Sequence, residues 1–168
     1  YDIGQDQEYI YFCDLEHIWS LDKTTKEIVR IPTPGSDQKG TPAYIKGLYV
    51  NTDKKLGYLL RKETIWVVRL PSGTVLNKVD VPKWIAPRSL VDVDEKRLLI
   101  SGRSGAVVFS KNSHQLGKPF QITVRGQKAQ IQDCAVDTVY GITLGTRNHG
   151  LFIVAAYQEH TRTLDIGS

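Results

Sequence analysis

The stretch RLLISGRSGAVVFSKNSHQLGKPFQI, residues 97–122, decides the fold class. It joins three short segments, rich in β-branched and apolar residues, through a hairpin centred on residues 103–105 and a turn at residues 112–115. The two turns contain Gly, Ser and Asn, which tight turns prefer. The stretch therefore predicts three antiparallel strands in succession.

The same order of strands and turns recurs along the chain. It returns in LGYLLRKETIWVVRLPSGTVLNKVDV, residues 56–81, and again in residues 9–31 and 139–166. An extra strand precedes each of the last three repeats, which gives a period of about 40 residues. We expect few helices, because no stretch of about a dozen residues keeps the helical apolar spacing. The other predicted turns fall at residues 14–16, 23–25, 62–63, 71–73 and 147–150.

The third strand of each repeat, with the turn after it, resembles the WD-repeat family of β-propellers. That family shows a Trp-Asp pair followed by Thr-Gly-Lys, and the closest match is residues 18–22 with residues 24–26. Trp66 and Phe109 stand at the equivalent position in two other repeats. The resemblance implies an all-β chain of blades, each with four antiparallel strands. LGTRNHGLF, residues 144–152, is more similar to the Gly-Thr-x-x-Gly-Leu pattern of citron-homology and two-component-regulator propellers.

We expect one propeller-like domain over residues 1–168. Its blades are predicted at approximately residues 1–33, 41–84, 85–125 and 126–168. Four blades are few for a WD-repeat ring, and the chain contains no Met. We therefore expect part of a larger ring, an incomplete propeller docked on another chain, or a self-paired half, with a small closed ring as the alternative.

Chemical motifs are scarce. The sequence has no nucleophile elbow, P-loop, zinc-protease or EF-hand motif. Asp92 and Asp133 could face a propeller channel, but we expect them to be turn-capping or rim carboxylates. We expect no enzyme activity, cofactor or metal, solvated histidines at turns, and reduced core thiols at Cys13 and Cys134. No membrane-spanning run or leader is visible, and an intracellular site, cytoplasmic or nuclear, is favoured.

The middle of the chain is strongly basic. Residues 55–130 hold 14 Lys and Arg against 5 Asp and Glu. A protein-interaction scaffold is the predicted function, with another chain, the rest of the propeller or a second copy as partner. A small-ligand sensor or enzyme propeller, and nucleic-acid binding through the basic blades, are the alternatives. Trp84, flanked by Pro82 and Pro87, is expected to pack between blades or, if exposed, to anchor a partner. The predicted partner-binding residues are Arg61, Lys62, Trp84, Arg88, Arg97, Arg103 and Lys111.

Overall fold

The computed structural model describes residues 3–34, 44–124, 127–128, 131–137, 141–146, 150–154 and 163–166. The chain divides into two compact units, an N-terminal unit, Tyr1–Asp80, and a C-terminal unit, Val81–Ser168. The strands of the N-terminal unit are β1 Ile3–Gln5, β2 Tyr9–Cys13, β3 Ile18–Asp22, β4 Ile28–Ile31, β5 Ile45–Asn51, β6 Leu56–Arg61, β7 Thr64–Arg69 and β8 Thr74–Asp80. They form two four-stranded sheets, β1-β2-β3-β4 and β5-β6-β7-β8, antiparallel throughout.

The C-terminal unit begins with a short 3-10 helix, Lys83–Ile85. Its strands are β9 Pro87–Asp94, β10 Arg97–Gly102, β11 Gly105–Ser110, β12 Gln121–Val124, β13 Gln127–Lys128, β14 Ile131–Asp137, β15 Gly141–Thr146, β16 Gly150–Val154 and β17 Thr163–Ile166. Two antiparallel sheets follow chain order, β9-β10-β11 and β14-β15-β16. The prediction of an all-β fold built from blade-like sheets is confirmed.

In the sheet β5-β6-β7-β8, the second strand is buried on both faces, while the last strand is largely exposed. Tyr58, Leu59 and Leu60 of β6 are all 0% exposed, although successive side chains point to opposite faces. On β8, by contrast, Val75 and Leu76 are exposed. The continuous apolar run of the inner strand and the mixed composition of the outer one follow from this difference in burial.

Several hairpin turns are closed by an aspartate that accepts backbone N–H groups. Asp14 Oδ1 accepts from the amides of Glu16 and His17, both at 2.7 Å, and Asp14 Oδ2 accepts from the indole of Trp19. The carboxylates of Asp6 and Asp22 close their turns in the same way. The predicted turns at residues 14–16 and 23–25 are confirmed, because Asp side chains satisfy the amides that such turns leave unpaired.

The turn after β7 requires its glycine. Gly73 has φ +72°, and a Cβ there would lie 2.6 Å from the carbonyl oxygen of Pro32. At this position, no residue type other than glycine adopts a positive φ and allows so close a backbone approach at low cost. The apolar core of the N-terminal unit lies beside this turn and includes Tyr11, Cys13, Ile18, Ile31, Ile45, Leu48, Leu59, Val68 and Leu70.

The fourth strand predicted after β11 pairs differently from the expectation. Residues 116–120 meet β11 only through the bridges Phe109↔Leu116 and Ala106↔Phe120. Pro119 interrupts this segment and has no N–H to donate to a ladder. Beyond it, β12 pairs in parallel with β17.

Both cysteines are free and buried, so the prediction of reduced core thiols is confirmed. The predicted turn at residues 147–150 joins β15 to β16, whose register pairs Thr146 with Gly150. Its residues 147–149, which include Asn148 and His149, lie outside the described residues. His160 and residues 35–43 lie outside them as well. No described helix is long and apolar enough to cross a bilayer. One propeller-like domain over residues 1–168, with the blade bounds given above, stays a prediction.

Candidate functional site

The 3-10 helix presents a tryptophan to solvent. Ile85 is fully buried and Val81 is 2% exposed, so the segment is fastened to the C-terminal unit on both sides of Trp84. The amide of Ile85 donates to the Pro82 carbonyl at 3.0 Å, and the amide of Ala86 donates to the Lys83 carbonyl. Trp84 itself is 46% exposed. The side chain is therefore held on a short, hydrogen-bonded turn rather than on a free loop.

The β10–β11 hairpin packs directly against this turn. The amides of Arg103 and Ser104 donate to the carbonyls of Ala86 and Ile85, each at 3.2 Å. A Cβ at Gly102 would come within 2.6 Å of the Ala86 carbonyl oxygen, so only glycine permits this approach. The backbone contact fixes the hairpin tip beside the indole.

Three exposed side chains share this edge of the C-terminal unit: Lys83, Trp84 and Arg103. We call them the Trp84 platform. Lys83 neighbours Trp84 in the chain, and Arg103 is tied to the same turn through its backbone amide. The platform thus combines an amphipathic aromatic ring with two cations.

Carboxylates lie at the opposite end of the same sheet. Asp92 and Asp94 stand near the end of β9, whereas Gly102 at the end of β10 pairs with Pro87 at the start of β9. Asp92 forms an ion pair with Lys111, and Asp94 pairs with Arg97 Nη2 at 2.6 Å. The described acidic side chains of β9 are therefore engaged away from the platform.

The expectation that Lys111 is exposed is wrong. Lys111 is 1% exposed, and its Nζ donates to Asp92 Oδ1 and, at 2.7 Å, to the Asp94 carbonyl oxygen. A buried ammonium group needs such partners, because leaving water costs it several kcal/mol. The lysine fastens the end of β11 to the end of β9, which leaves it no surface role.

Arg61 is also buried, contrary to expectation. It is 5% exposed, and its Nη1 donates to the Pro34 carbonyl at 3.2 Å. Lys62, one residue later, is exposed in the β6–β7 turn with φ 53°. Both residues belong to the N-terminal unit.

The remaining two predicted residues, Arg88 and Arg97, lie on β9 and β10. Arg97 begins β10 and Arg103 follows its end, so about 20 Å of strand separates them at about 3.3 Å per residue. Arg97 is held by Asp94, through its Nε at 2.8 Å as well as through Nη2. Arg88 is half-buried on β9. The structure thus brings Trp84 and Arg103 of the predicted set together, and Arg88 lies at the same end of the sheet.

The expected solvated histidines are half-buried where they are described. His17 stands edge-on to Trp19, with its Nδ1 3.5 Å from Asp14 Oδ1, and His114 stacks on Phe109 at 6.3 Å between ring centres. Within the described residues, no three His, Cys, Asp or Glu side chains come together as a metal site would require. The side chain of Asp133 is outside what the structure describes.

The N-terminal unit carries a polar groove of about 650 Å³ between its β1–β2, β3–β4 and β5–β6 turns. Its lysines are already engaged: Lys55 Nζ pairs with Glu8 Oε2 at 2.9 Å, and Lys23 Nζ donates to the Asp6 carbonyl. These contacts hold the turns together. The groove is lined by Gln5, Asp6, Gln7, Glu8, Lys23, Thr52, Asp53 and Lys55.

The predicted partner-binding set lacks Lys83 of the platform, and the sequence analysis gave no role to Gly102 and Gly105, which let the hairpin approach the platform. A local signal was present, since two glycines flank Arg103 and Ser104 while two prolines flank the Trp84 segment. Two glycines around a hairpin permit a close backbone approach as well as a turn. The sequence does not show which segment makes that approach.

The sheets define an all-β, propeller-like chain, and comparison with solved structures agrees. No family model and no curated protein matches the sequence. Among solved structures, the Neurospora crassa Pan2 WD40 domain is similar, with a TM-score of 0.67 and 15% identity over 96% of this chain and 47% of that chain. The Malassezia sympodialis allergen Mala s 1 has a TM-score of 0.66 and 11% identity over 98% of this chain and 61% of that chain.

At these identities the likeness shows a shared fold and nothing about activity. The chain spans about half the length of the first structure and about three fifths of the second.

Proposed function

We propose that this chain is a protein-interaction module of the WD-repeat type and that the Trp84 platform is its contact surface. The observation that carries the proposal is the 46% exposure of Trp84 on a turn fixed by backbone hydrogen bonds. Tryptophan is enriched among residues that dominate binding energy at protein interfaces. A ring already held in place loses little conformational entropy when a partner covers it.

The similarity to a WD40 domain supports the proposal by analogy of fold, because rigid sheets that display turns commonly serve recognition. A ligand-sensing or catalytic propeller needs several polar groups converging on one site. The polar groove of the N-terminal unit does not favour that alternative, because its lysines are engaged by neighbouring turns. That the chain is not an enzyme stays a prediction.

The test compares three proteins: the unaltered chain, Trp84→Ala and Tyr44→Ala. Tyr44 is a matched control, because it is an aromatic residue of the N-terminal unit with 49% exposure. Proteins captured by the unaltered chain are identified by mass spectrometry, purified and titrated by calorimetry. We expect at least one purified partner to bind Tyr44→Ala normally and Trp84→Ala at least about 30-fold more weakly, which corresponds to about 2 kcal/mol.

Circular dichroism must show that both variants fold. If every purified partner binds Trp84→Ala as tightly as the unaltered chain, the platform is not the contact surface and the proposal is wrong.

A further inference from the structure

We infer that the Trp84 platform binds an acidic, extended segment of a partner protein, with carboxylates on Lys83 and Arg103 and an apolar side chain on the indole. The inference rests on the proposed function and adds the chemistry of the partner. It starts from charge: both cations of the platform are exposed, and the carboxylates described on β9 lie at the far end of the sheet.

The geometry places the two cations on different segments beside one ring. Lys83 is the chain neighbour of Trp84, and Arg103 reaches the turn through its amide, 3.2 Å from the Ala86 carbonyl. A segment that crosses the indole can therefore meet a cation from each segment. Because Arg and Lys pair with carboxylates in different geometries, bidentate and point-like, the two cations also favour a defined orientation.

The Trp84 platform is small, so it suits a short segment of a partner. It has one exposed aromatic ring between two cations, so a single apolar side chain between carboxylates is the complement it can accept. Carboxylates at exposed cations add little affinity each but steer association, while burial of the ring supplies most of the affinity.

Nucleic acid fits the described surface less well. A duplex binder typically neutralises about 6–10 phosphates, and a single-strand binder stacks successive bases on several aromatic rings. Three of the basic residues that the sequence predicts for a binding surface are buried or paired. Lys111 is buried and pairs with Asp92, Arg97 pairs with Asp94, and Arg61 is buried. The platform keeps two cations and one ring.

The experiment uses labelled probes and fluorescence anisotropy on the full chain at about 50 and about 200 mM NaCl. The main probe is a short peptide of alternating Asp and Glu around one central Leu. The comparison probes are the same peptide with Lys in place of every acid, the acidic peptide with Ser in place of Leu, and a short oligothymidylate. The variants are Trp84→Ala and the double variant Lys83→Glu with Arg103→Glu.

Lys96→Glu serves as the charge-matched control. Lys96 is an exposed lysine in the β9–β10 turn, at the opposite end of the sheet from the platform. We expect the acidic Leu peptide to bind the unaltered chain and Lys96→Glu within about twofold of each other. The double variant should bind it at least about tenfold more weakly and should instead bind the Lys peptide. Trp84→Ala and the Ser peptide should each lose most of the affinity.

Several results would overturn the inference. These are no binding of the acidic peptide at about 1 mM, an equal loss in Lys96→Glu, or oligothymidylate binding that is tighter than the peptide and disappears in Trp84→Ala. The last result would assign the platform to nucleic acid.

The partner identified under the proposed function separates the two proposals. If that partner needs Trp84 but binds the double variant normally, the interaction surface stands and the acidic segment is wrong. If the partner binds Trp84→Ala as tightly as it binds the unaltered chain, the proposed function itself fails.

Discussion

The indole of Trp84 lies against the backbone of Gly105. A Cβ at position 105 would come within 2.6 Å of Trp84 Cζ3 and within 2.5 Å of the Phe120 carbonyl oxygen. The same glycine pairs with Gly102 across the hairpin. Three segments, the 3-10 helix, the hairpin and the stretch before β12, therefore meet at a position where only hydrogen fits.

Gly105→Ala should consequently lower stability and disturb the platform. The added methyl group must displace both a ring and a carbonyl, and overpacking of this kind costs about 1–3 kcal/mol. Urea unfolding, followed by circular dichroism, measures the loss. The fluorescence emission of the Trp84 indole should shift as its contact with the hairpin opens. The chain has three tryptophans, so the signal of Trp84 is identified as the part of the emission that is lost in a Trp84→Phe variant.

Gly117→Ala is the matched control for this prediction. A Cβ there meets only the Val108 carbonyl oxygen, at 3.5 Å, which is ordinary contact. We expect this variant to stay within about 0.5 kcal/mol of the unaltered chain. Equal unfolding midpoints for the two glycine variants would show that position 105 has more room than the structure indicates.

Asp14 should make the chain sensitive to acid. Partial burial raises its pKa, but hydrogen bonds from the Glu16 amide, the Trp19 indole and the His17 amide outweigh that effect and lower the pKa to about 2, from the ordinary 3.8. The stabilisation is therefore complete above about pH 4 and is lost as the pH falls through about 2. Because the side chain is 45% exposed, solvent screening reduces the contribution to about 1 kcal/mol.

Asp14→Asn should flatten the fall in stability between about pH 4 and pH 2, since the amide keeps an acceptor but does not titrate. Asp14→Ala should flatten it equally and should also lower stability at pH 7 by about 1 kcal/mol, because the turn amides lose their acceptor. Urea unfolding at each pH gives the slopes. An Asp14→Asn curve parallel to that of the unaltered chain would contradict the lowered pKa.

The sequence predicted what is local and missed what is not. Turns at residues 14–16, 62–63 and 71–73 follow from nearby Asp, Lys and Gly residues, and the structure has them. Lys111 looked like a surface charge, because the residues that neutralise it, Asp92 and the Asp94 carbonyl, come from another strand.

The candidate site divides in the same way. Trp84 between two prolines is visible as an unusual residue, but its exposure depends on which segment covers the ring. Arg103 at a hairpin tip is predictable. That its amide donates to Ala86, and so places it beside Trp84, is a tertiary contact with no local signature.

Both thiols should be unreactive until the chain opens. Cys134 is 7% exposed, and its Sγ lies 3.2 Å from Ser101 Oγ and 3.5 Å from Ser89 Oγ. A thiol reagent should therefore label Cys134 only when β9, β10 and β14 separate. In a Cys13→Ala background, Gly105→Ala should raise the labelling rate at least about fivefold over Gly117→Ala, since a loss of about 1 kcal/mol increases the open population by that factor. Labelling in native buffer as fast as in urea would contradict the burial.

Asp92 and Lys111 should respond unequally to substitution, because only one of them is buried. Asp92→Ala leaves a lysine that is 1% exposed without its carboxylate, and such an uncompensated charge costs about 3–5 kcal/mol. Lys111→Met replaces the lysine with an apolar side chain of similar length. The carboxylate it releases is 45% exposed and stays hydrated, so we expect a loss of about 1 kcal/mol or less. Urea unfolding of both single variants and of the double variant, which should resemble Lys111→Met, measures this order. A larger loss in Lys111→Met than in Asp92→Ala would mean that Lys111 reaches water, and it would return this lysine to the set of candidate surface residues.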